Sequence, residues 1–598
     1  MKVKAGDKFG FVLPLVFALA VEAVASEVWR HGEREPIWPE GRMPDFQMEQ
    51  IACMTDEKEE AGFRSEAHRM PYLEWFEEPA DPNGSCMILI SGGGYWNCCD
   101  VDLVRRWKER LTGEGYRTVN LVYRTPRPRG LAYYQTAWED GQRAVRLVRS
   151  QAKRRGFDPE KVGVIGMSAG GHLATLLATS ALTPAYGRVD ALDDVPCHVN
   201  WCIANAPAYN TCGGGATGDP FHIDGTINEF PRVDSAFRFD ARTCPISFHH
   251  GAVDGFTPNG STRCYRELRR RRIPAELHLY ADRGHGAWGL DRAVEFMRQM
   301  NFDGRLGAEV GQRAFTGEYT ASRIREELWP TGKTPTPQPN QTNAPFMTWF
   351  IPKTLKTKAI QVVFPGGAYE ECDLDNEGWP VAEGLNKKGM AAVVVGYRCP
   401  RPVTSATGSL RLGDWKLPKY WSAWEDARRA ICKVRGEAAE RGLDPARIGV
   451  MGFSAGGHLA LLSALSSTFY LYHPVDEYDN LPCNVQWACP ISPAYALTDG
   501  VDSPSAEDGL PDGVTLVPEF LFDVNTPPMC FIHGDADGWS AMNSVKTWER
   551  LRRMGVSCDL HTLATRGRHF QLKAAPGTGS FAWLDRVWDF LDRKGFVQ

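Results

Sequence analysis

Short apolar runs rich in β-branched residues alternate along this chain with longer segments whose apolar positions recur every three or four residues. In the first half, "CMILIS" (86–91) precedes "DLVRRWKERLTGEG" (102–115), and "YRTVNLVY" (116–123) precedes "WEDGQRAVRLVRSQAKRRG" (138–156). "KVGVIGM" (161–167) leads into "AGGHLATLLATSAL" (169–182), and "VNWCIANAP" (199–207) follows. "CPISFHHG" (244–251), "STRCYRELRRRRI" (261–273), "AELHLYA" (275–281) and a closing helical segment complete the series. Alternating or continuous apolar runs of this length predict strands, and the longer period predicts amphipathic helices. Strands that alternate with helices predict an α/β domain: a mostly parallel sheet with helices on both faces and right-handed crossovers.

The whole pattern occurs twice. "GVIGMSAGGHLA" (163–174) returns as "GVMGFSAGGHLA" (449–460), and "DDVPCHVNWCIANAPAY" (193–209) as "DNLPCNVQWACPISPAY" (479–495). "AWEDGQRA", "PYLEWF" and "YRTPRP" are answered in the same order by "AWEDARRA", "PFMTWF" and "YRCPRP". Ser168 and Ser454 stand 286 positions apart, as do Trp138 and Trp424, whereas Tyr123 and Tyr397 stand 274 apart. The second copy has therefore gained about 12 residues, in or near "VTSATGSLRLGDWKLP". The period is far too long for a solenoid. It predicts two tandem α/β domains, residues 26–310 and 311–598, with the boundary after "DRAVEFMRQM".

Residues 1–25 read differently. Lys2, Lys4 and Lys8 precede an apolar run over 9–21, and Ala23 and Ala25 form an A-x-A pattern before Ser26. That is the pattern of a secretory signal peptide, so a secreted or periplasmic protein without a membrane span after cleavage is expected. A retained anchor is the competing reading, and the short apolar run counts against it. The net charge of −5 offers no broad basic field for nucleic acid. Sixteen cysteines permit disulfides in an exported chain, although Cys244 and Cys530 sit in strand patterns that suit free core thiols.

"GMSAG" is a G-x-S-x-G sequence between a strand pattern and a helix pattern. A side chain at Gly166 or Gly170 would collide with neighbouring backbone. The turn lifts Ser168 above the sheet, and the N–H of Ala169 opens the following helix. A serine hydroxyl needs a base. In the chain order Ser, Asp, His, "FHHGAVDG" supplies Asp254 and "LHLYADRGHG" supplies His285. The second copy supplies Ser454, Asp537 from "FIHGDADG" and His569 from "LATRGRHF". Asp282 and Asp535 are rival acids, and the alignment of "HGAVDG" with "HGDADG" favours Asp254 and Asp537. His172 and His458 lie on the helix after each serine and read as packing or hydrogen-bonding residues. His249, His250 and His533 read as structural, and Glu139, Asp140, Glu425 and Asp426 as charges at a helix start. "SGGGYW" and "PGGAY" end the first strong strand of each half. Gly93 and Gly94 with Ala169, and Gly367 and Ala368 with Ala455, are the candidate oxyanion donors. Neither loop continues into the Gly-Lys-Ser/Thr of a phosphate cradle.

These motifs together resemble the α/β-hydrolase esterases described as acetyl-xylan-esterase-like, relatives of the hormone-sensitive-lipase type. The resemblance covers nearly the whole chain after residue 25. It implies two Ser-His-Asp sites that cleave acyl esters, acetyl above all, on polysaccharides or oligosaccharides, with no metal and no cofactor. The halves differ in detail: Ala368 stands where the first copy has Gly94, and Phe570 where it has Gly286. Tyr95, Trp96, Trp288, Tyr369 and Trp539 are candidates to stack on sugar rings. A serine peptidase or amidase would use the same triad, but no propeller-like partner domain is present in the sequence. A lipase would want an apolar lid where the insertions here are polar. One half could also be a carbohydrate-binding remnant, against which its complete set of Ser, Asp and His counts.

Overall fold

The computed structural model describes residues 32–45, 70–98, 101–128, 130–211, 233–303, 319–336, 341–400, 411–412, 415–416, 418–498, 515–535, 537–564 and 582–598. Residues 1–25, read above as a signal peptide, lie outside them, as does the expected repeat boundary. The chain divides into two compact units. One holds the described residues up to Leu177 together with Ala181–Asn200. The other holds Ala178–Ser180 and the described residues from Trp201 to Gln598.

In the first unit, strands β1 (Glu33–Pro36), β2 (Tyr72–Trp75), β3 (Cys86–Ile90), β4 (Arg117–Val122) and β5 (Val162–Met167) lie in the order β1-β2-β4-β3-β5. The pairs β1–β2 and β2–β4 are antiparallel, whereas β4, β3 and β5 are parallel. Helices α1 (Val101–Gly113), α2 (Gln135–Arg155) and α3 (Ala169–Thr179) connect or follow them. The strand β3 is buried at every position, which suits a parallel strand covered on both faces. Helix α2 ends at Gly156 in the left-handed region, φ 73°, where glycine carries no Cβ penalty.

The second unit contains β6 (Trp201–Asn205), β7 (Ile246–Gly251), β8 (Ala275–Tyr280), α4 (Asn259–Arg270) and α5 (Leu290–Gln299). It continues with β9 (Thr320–Glu327), β10 (Phe346–Pro352), β11 (Ile360–Phe364), α6 (Trp379–Lys387) and β12 (Ala391–Gly396). A short ladder of β13 (Arg411–Leu412) and β14 (Trp415–Lys416) precedes α7 (Trp421–Glu437) and β15 (Ile448–Phe453). Helix α8 (Ala455–Leu465), β16 (Trp487–Ile491), β17 (Met529–Gly534), α9 (Met542–Arg553), β18 (Cys558–Leu563) and α10 (Ala582–Arg593) complete it. The second repeat shows the order β9-β10-β12-β11-β15-β16-β17-β18. It is parallel from β12 to β18 and antiparallel at β9 and β10. Trp583, Val587, Phe590 and Leu591 of α10 pack on this sheet beside Met451, Ile491 and Ile532. Each such buried side chain contributes roughly 1.5–3 kcal/mol.

The compact units therefore do not coincide with the two repeats. The cause is one ladder: β18 pairs antiparallel with β8, with Leu560, His561 and Thr562 opposite Leu279, His278 and Leu277. The last strands of both repeats thus join in a single sheet. Along it β6, β7 and β8 run one way, and β18, β17, β16, β15, β11 and β12 the other.

A buried ion network explains why "YR-x-P" and "WED" recur together. The Arg398 guanidinium donates to Asp426 at 2.9–3.0 Å and to Glu425 at 2.7 Å, while its backbone N–H donates to Asp426 at 2.7 Å. The Trp329 indole N–H donates to Asp426 at 2.6 Å. The first repeat has the same arrangement among Arg124, Asp140, Glu139 and Trp38. Glu139, Asp140, Glu425 and Asp426 are thus buried partners of an arginine at the end of a strand, which corrects their reading as helix-start charges. Burial, opposed by Gln135 and Arg124, pushes the Glu139 carboxyl up to about 7. Removing one partner of such a network strands a buried charge. Asp426→Ala is expected to cost about 3–5 kcal/mol in urea unfolding. Asp585→Ala, which removes an exposed partner of Lys388, is expected to cost less than about 1 kcal/mol. Equal small losses would contradict the role given to the network.

Candidate active site

Each serine sits on a strained backbone between a strand and a helix. Ser454, between β15 and α8, has φ 52° and ψ −114°, and Ser168, between β5 and α3, has φ 56°. Such a conformation costs a non-glycine residue about 1–3 kcal/mol and persists only where its surroundings fix it. Here backbone fixes it. The Ser454 N–H donates to Ile491 at 3.0 Å, and its carbonyl accepts from His458 and Ala494 at 3.0 and 3.1 Å. A Cβ on Gly452 would strike the Gly456 carbonyl, and one on Gly456 the Phe364 carbonyl. Gly166 and Gly170 face Gly170 and Ile90 in the same way. The helices that start at Ala169 and Ala455 carry no acidic residue in their first turn, so their N-terminal dipole is left for whatever binds at the serine.

The glycine loops reach over the serines. A Cβ at Gly92 would lie 2.9 Å from Ser168 Cβ, and one at Gly366 would lie 3.2 Å from Ser454 Cβ. Gly93 and Gly94 have φ of 128° and 61°, and Gly367 and Ala368 have 122° and 56°. The loops turn through hydrogen bonds to the first of these residues: Trp96 N–H to Gly93 and Glu370 N–H to Gly367, at 2.9 and 2.8 Å. The second loop has an extra support that the motifs did not disclose: buried Glu377 accepts from the Gly366 N–H at 2.8 Å. The first repeat has Leu103 at the matching position.

At the ends of β7 and β8, Asp254 and His285 meet. His285 Nδ1 donates to the Asp254 carboxylate at 2.9 and 3.1 Å. Asp254 is buried and also accepts from the Phe256 N–H at 2.7 Å, and His250 Nε2 lies 3.3 Å away. Burial pushes the Asp254 carboxyl up, but hydrogen bonds from His250 and His285 outweigh it and hold the group well below the usual carboxylate range. The close pass of Gly251 against the backbone of Arg283 and Gly284 brings the two loops together. His250, which sequence reasoning set aside as structural, is thus a neighbour of the acid. It also bonds Ser261 at 2.9 Å and the Phe256 carbonyl at 2.7 Å.

In the second repeat Asp537 repeats the turn of Asp254, accepting from the Trp539 N–H at 3.0 Å, while His569 lies outside the described residues. The rival acids are engaged elsewhere. Asp282 accepts from Ser557 and Lys594, and Asp535 from Arg269 and the Ala275 N–H. His172 and His458 share hydrogen bonds with the hydroxyls of Tyr95 and Tyr369, at 2.7 and 2.9 Å. Burial pulls both imidazoles down to about 3, which keeps them neutral near pH 7.

Two of the aromatic assignments need correction. Tyr95 and Tyr369 are buried beneath the glycine loops with their hydroxyls on histidine, so neither ring has a face to offer a sugar. Trp96, Trp288 and Trp539 are half-buried. The Arg127 guanidinium lies 4.7 Å from the Trp96 ring centre, Trp288 donates to Gly284, and Trp539 packs edge-on to Tyr495. The strand directions add a constraint. Asp254 and His285 leave the sheet where β7 and β8 end. Ser454 and Asp537 follow β15 and β17, which run the opposite way. His285 and Ser454 therefore follow strands that run in opposite directions, and a base for Ser454 would have to come from the second repeat itself.

Residues 76–186 and 349–491 match the BD-FAE family model, one segment in each repeat. An acetylxylan esterase of Xylanibacter ruminicola is 29% identical over 223 residues, which cover 36% of this chain and 41% of that protein. A probable carboxylic ester hydrolase of Mycobacterium tuberculosis, LipM, is 29% identical over 153 residues, 25% of this chain and 31% of that one. A crystal structure of an acetyl ester-xyloside bifunctional hydrolase from Caldicellulosiruptor lactoaceticus aligns at 26% identity with a TM-score of 0.36, covering 47% of this chain and 98% of that one. The chain thus spans about two fifths of the length of the curated acetylxylan esterase it matches.

The acid–base pair has a pH signature. The charged form of Asp254 stabilises the folded state above the ordinary carboxylate pKa, and that contribution is lost as the pH falls through the lower folded value. The stability difference between the wild type and Asp254→Asn is expected to shrink as the pH falls below about 4. A difference that grew below about pH 4 would contradict the lowered carboxyl.

Proposed function

We propose that the chain is an exported serine esterase with two active sites, one per repeat, that removes acyl groups, acetyl above all, from polysaccharides or oligosaccharides. The observation that carries this reading is the hydrogen-bonded pair of His285 and buried Asp254, placed where the order Ser, Asp, His requires an acid and a base. The similarity to an acetylxylan esterase supports the substrate class. The sites would comprise Ser168, Asp254 and His285 in the first repeat and Ser454, Asp537 and His569 in the second.

In each site the serine Oγ would attack the ester carbonyl while the histidine takes its proton. The aspartate would orient the imidazole and stabilise its protonated form. The tetrahedral oxyanion would accept from the N–H of Ala169 or Ala455 and from the glycine loop, Gly93 and Gly94 or Gly367 and Ala368. The histidine would then protonate the departing sugar hydroxyl, leaving an acyl-serine ester. A water activated by the same histidine would release the carboxylic acid. These steps use only the chain's own residues.

Ser168→Ala, Ser454→Ala and the double variant test the reading, with acetate release followed from acetylated xylan and from an aryl acetate. The double variant is expected to lose activity by at least about a thousandfold, and each single variant is expected to retain the share of the other site. Full activity in the double variant would refute the mechanism. Loss confined to one single variant would show that one repeat alone is catalytic, and cleavage of peptides but not esters would make the chain a peptidase.

A further inference from the structure

The second repeat carries a pair of thiols that the first does not. Cys372 Sγ lies 3.6 Å from Cys399 Sγ. Cys98 stands where the second repeat has Cys372, but Thr125 stands where it has Cys399. Cys372 closes the glycine loop that passes over Ser454, and its thiol donates to the Tyr397 carbonyl at 3.5 Å. Cys399 lies beyond the end of β12, next to Arg398 of the buried ion network. Its backbone is anchored: the Cys399 N–H donates to Asn343 at 2.8 Å, and its carbonyl accepts from the Thr342 N–H at 2.9 Å. Cys372 is partly exposed, whereas Cys399 is buried. A disulfide brings its sulfurs to about 2.05 Å, so roughly 1.5 Å of closure is needed. The partly exposed partner is on the loop and the buried one on anchored backbone.

We propose that Cys372 and Cys399 are a modification site, which closes to an intramolecular disulfide when it meets a small-molecule disulfide and so pins the second glycine loop to the end of β12. Cys372, reached from solvent, attacks one sulfur of the reagent as its thiolate. A mixed disulfide forms and one reagent thiol leaves. The Cys399 thiolate then attacks Cys372 Sγ and expels the second reagent thiol. Two protein thiols are oxidised, the reagent disulfide is reduced to two thiols, and the two protons end on those thiols. In the reduced pair the hydrogen bond with Cys372, together with burial, holds the Cys399 thiol well above its ordinary range. The partly exposed first thiol and the close second one are the arrangement such an exchange requires. None of this depends on the esterase reading.

The test uses the full chain incubated with oxidised glutathione, alkylated, and digested for peptide mapping. The expected results are a loss of about two mass units, a cross-linked peptide joining Cys372 to Cys399, and reversal by dithiothreitol. Amide hydrogen exchange across 366–373 is expected to slow in the oxidised form. Cys399→Thr, which installs the residue of the first repeat, is expected to stop at a glutathione mixed disulfide on Cys372. Cys372→Ser is expected to give no cross-link to Cys399. A stable mixed disulfide in the wild type, no reaction, or a cross-link between other cysteines would overturn the proposal. Unchanged exchange in the oxidised form would overturn the pinning. If Cys399→Thr fails to fold, the wild-type peptide map with the Cys372→Ser control decides.

Discussion

Backbone pressed against backbone is the constraint on which each site of this fold rests. Where Gly456 meets the Phe364 carbonyl and Gly452 meets Gly456, no space remains for even one methyl group. The strand, the serine turn and the helix are therefore locked in one register. The positive φ of Ser454 is a consequence of that lock, since any relaxed conformation would part the helix from the strand beneath it. The first repeat reproduces the contacts at Gly166 and Gly170 around Ser168. Strain at the serine is thus sustained by close packing rather than by any bond of its own side chain.

Around each turn a second layer holds the neighbouring loops. The arginine network fixes the end of β4 or β12 to the start of α2 or α7, and the same strand end carries the tyrosine whose hydroxyl bonds back to the glycine loop. Tyr123 donates to the Ser91 carbonyl and Tyr397 to the Pro365 carbonyl. The hydroxyls of Tyr95 and Tyr369 reach from the loop to the histidine on the helix that follows each serine. Loop, strand end and helix are tied in a ring of buried polar contacts. In this setting Ala368 can occupy a left-handed position for which the first repeat uses Gly94.

What could be read from the sequence follows from how local each signal is. The serine turn was legible because its strand, glycines and helix are contiguous. The pair of Asp254 and His285 was legible because both follow strand patterns in a fixed order. The tyrosines were misread because a ring beside a glycine loop has the same sequence whether it faces the cleft or the helix behind it. Glu139 and Asp140 were misread because the helix begins at Gln135, a turn earlier than the motif suggests, and an acid there looks alike in solvent and against a buried arginine. Glu377 gave no signal, since its partner is a backbone N–H eleven residues away. The ladder between β8 and β18 could not be foreseen either. Both strands read as ordinary buried strands, and nothing in either names its neighbour.

That ladder has a consequence for the duplication itself. In a single copy of the fold the last strand would lie at the margin of the sheet, with one row of N–H and C=O groups unpaired. Strands β8 and β18, six residues each and buried throughout, supply that margin for each other. Antiparallel pairing of two equivalent margins is also the way two identical subunits would join about a two-fold axis. The tandem chain is thus the covalent counterpart of an edge-to-edge homodimer, in which partner choice no longer depends on concentration and the margins of β8 and β18 are already paired.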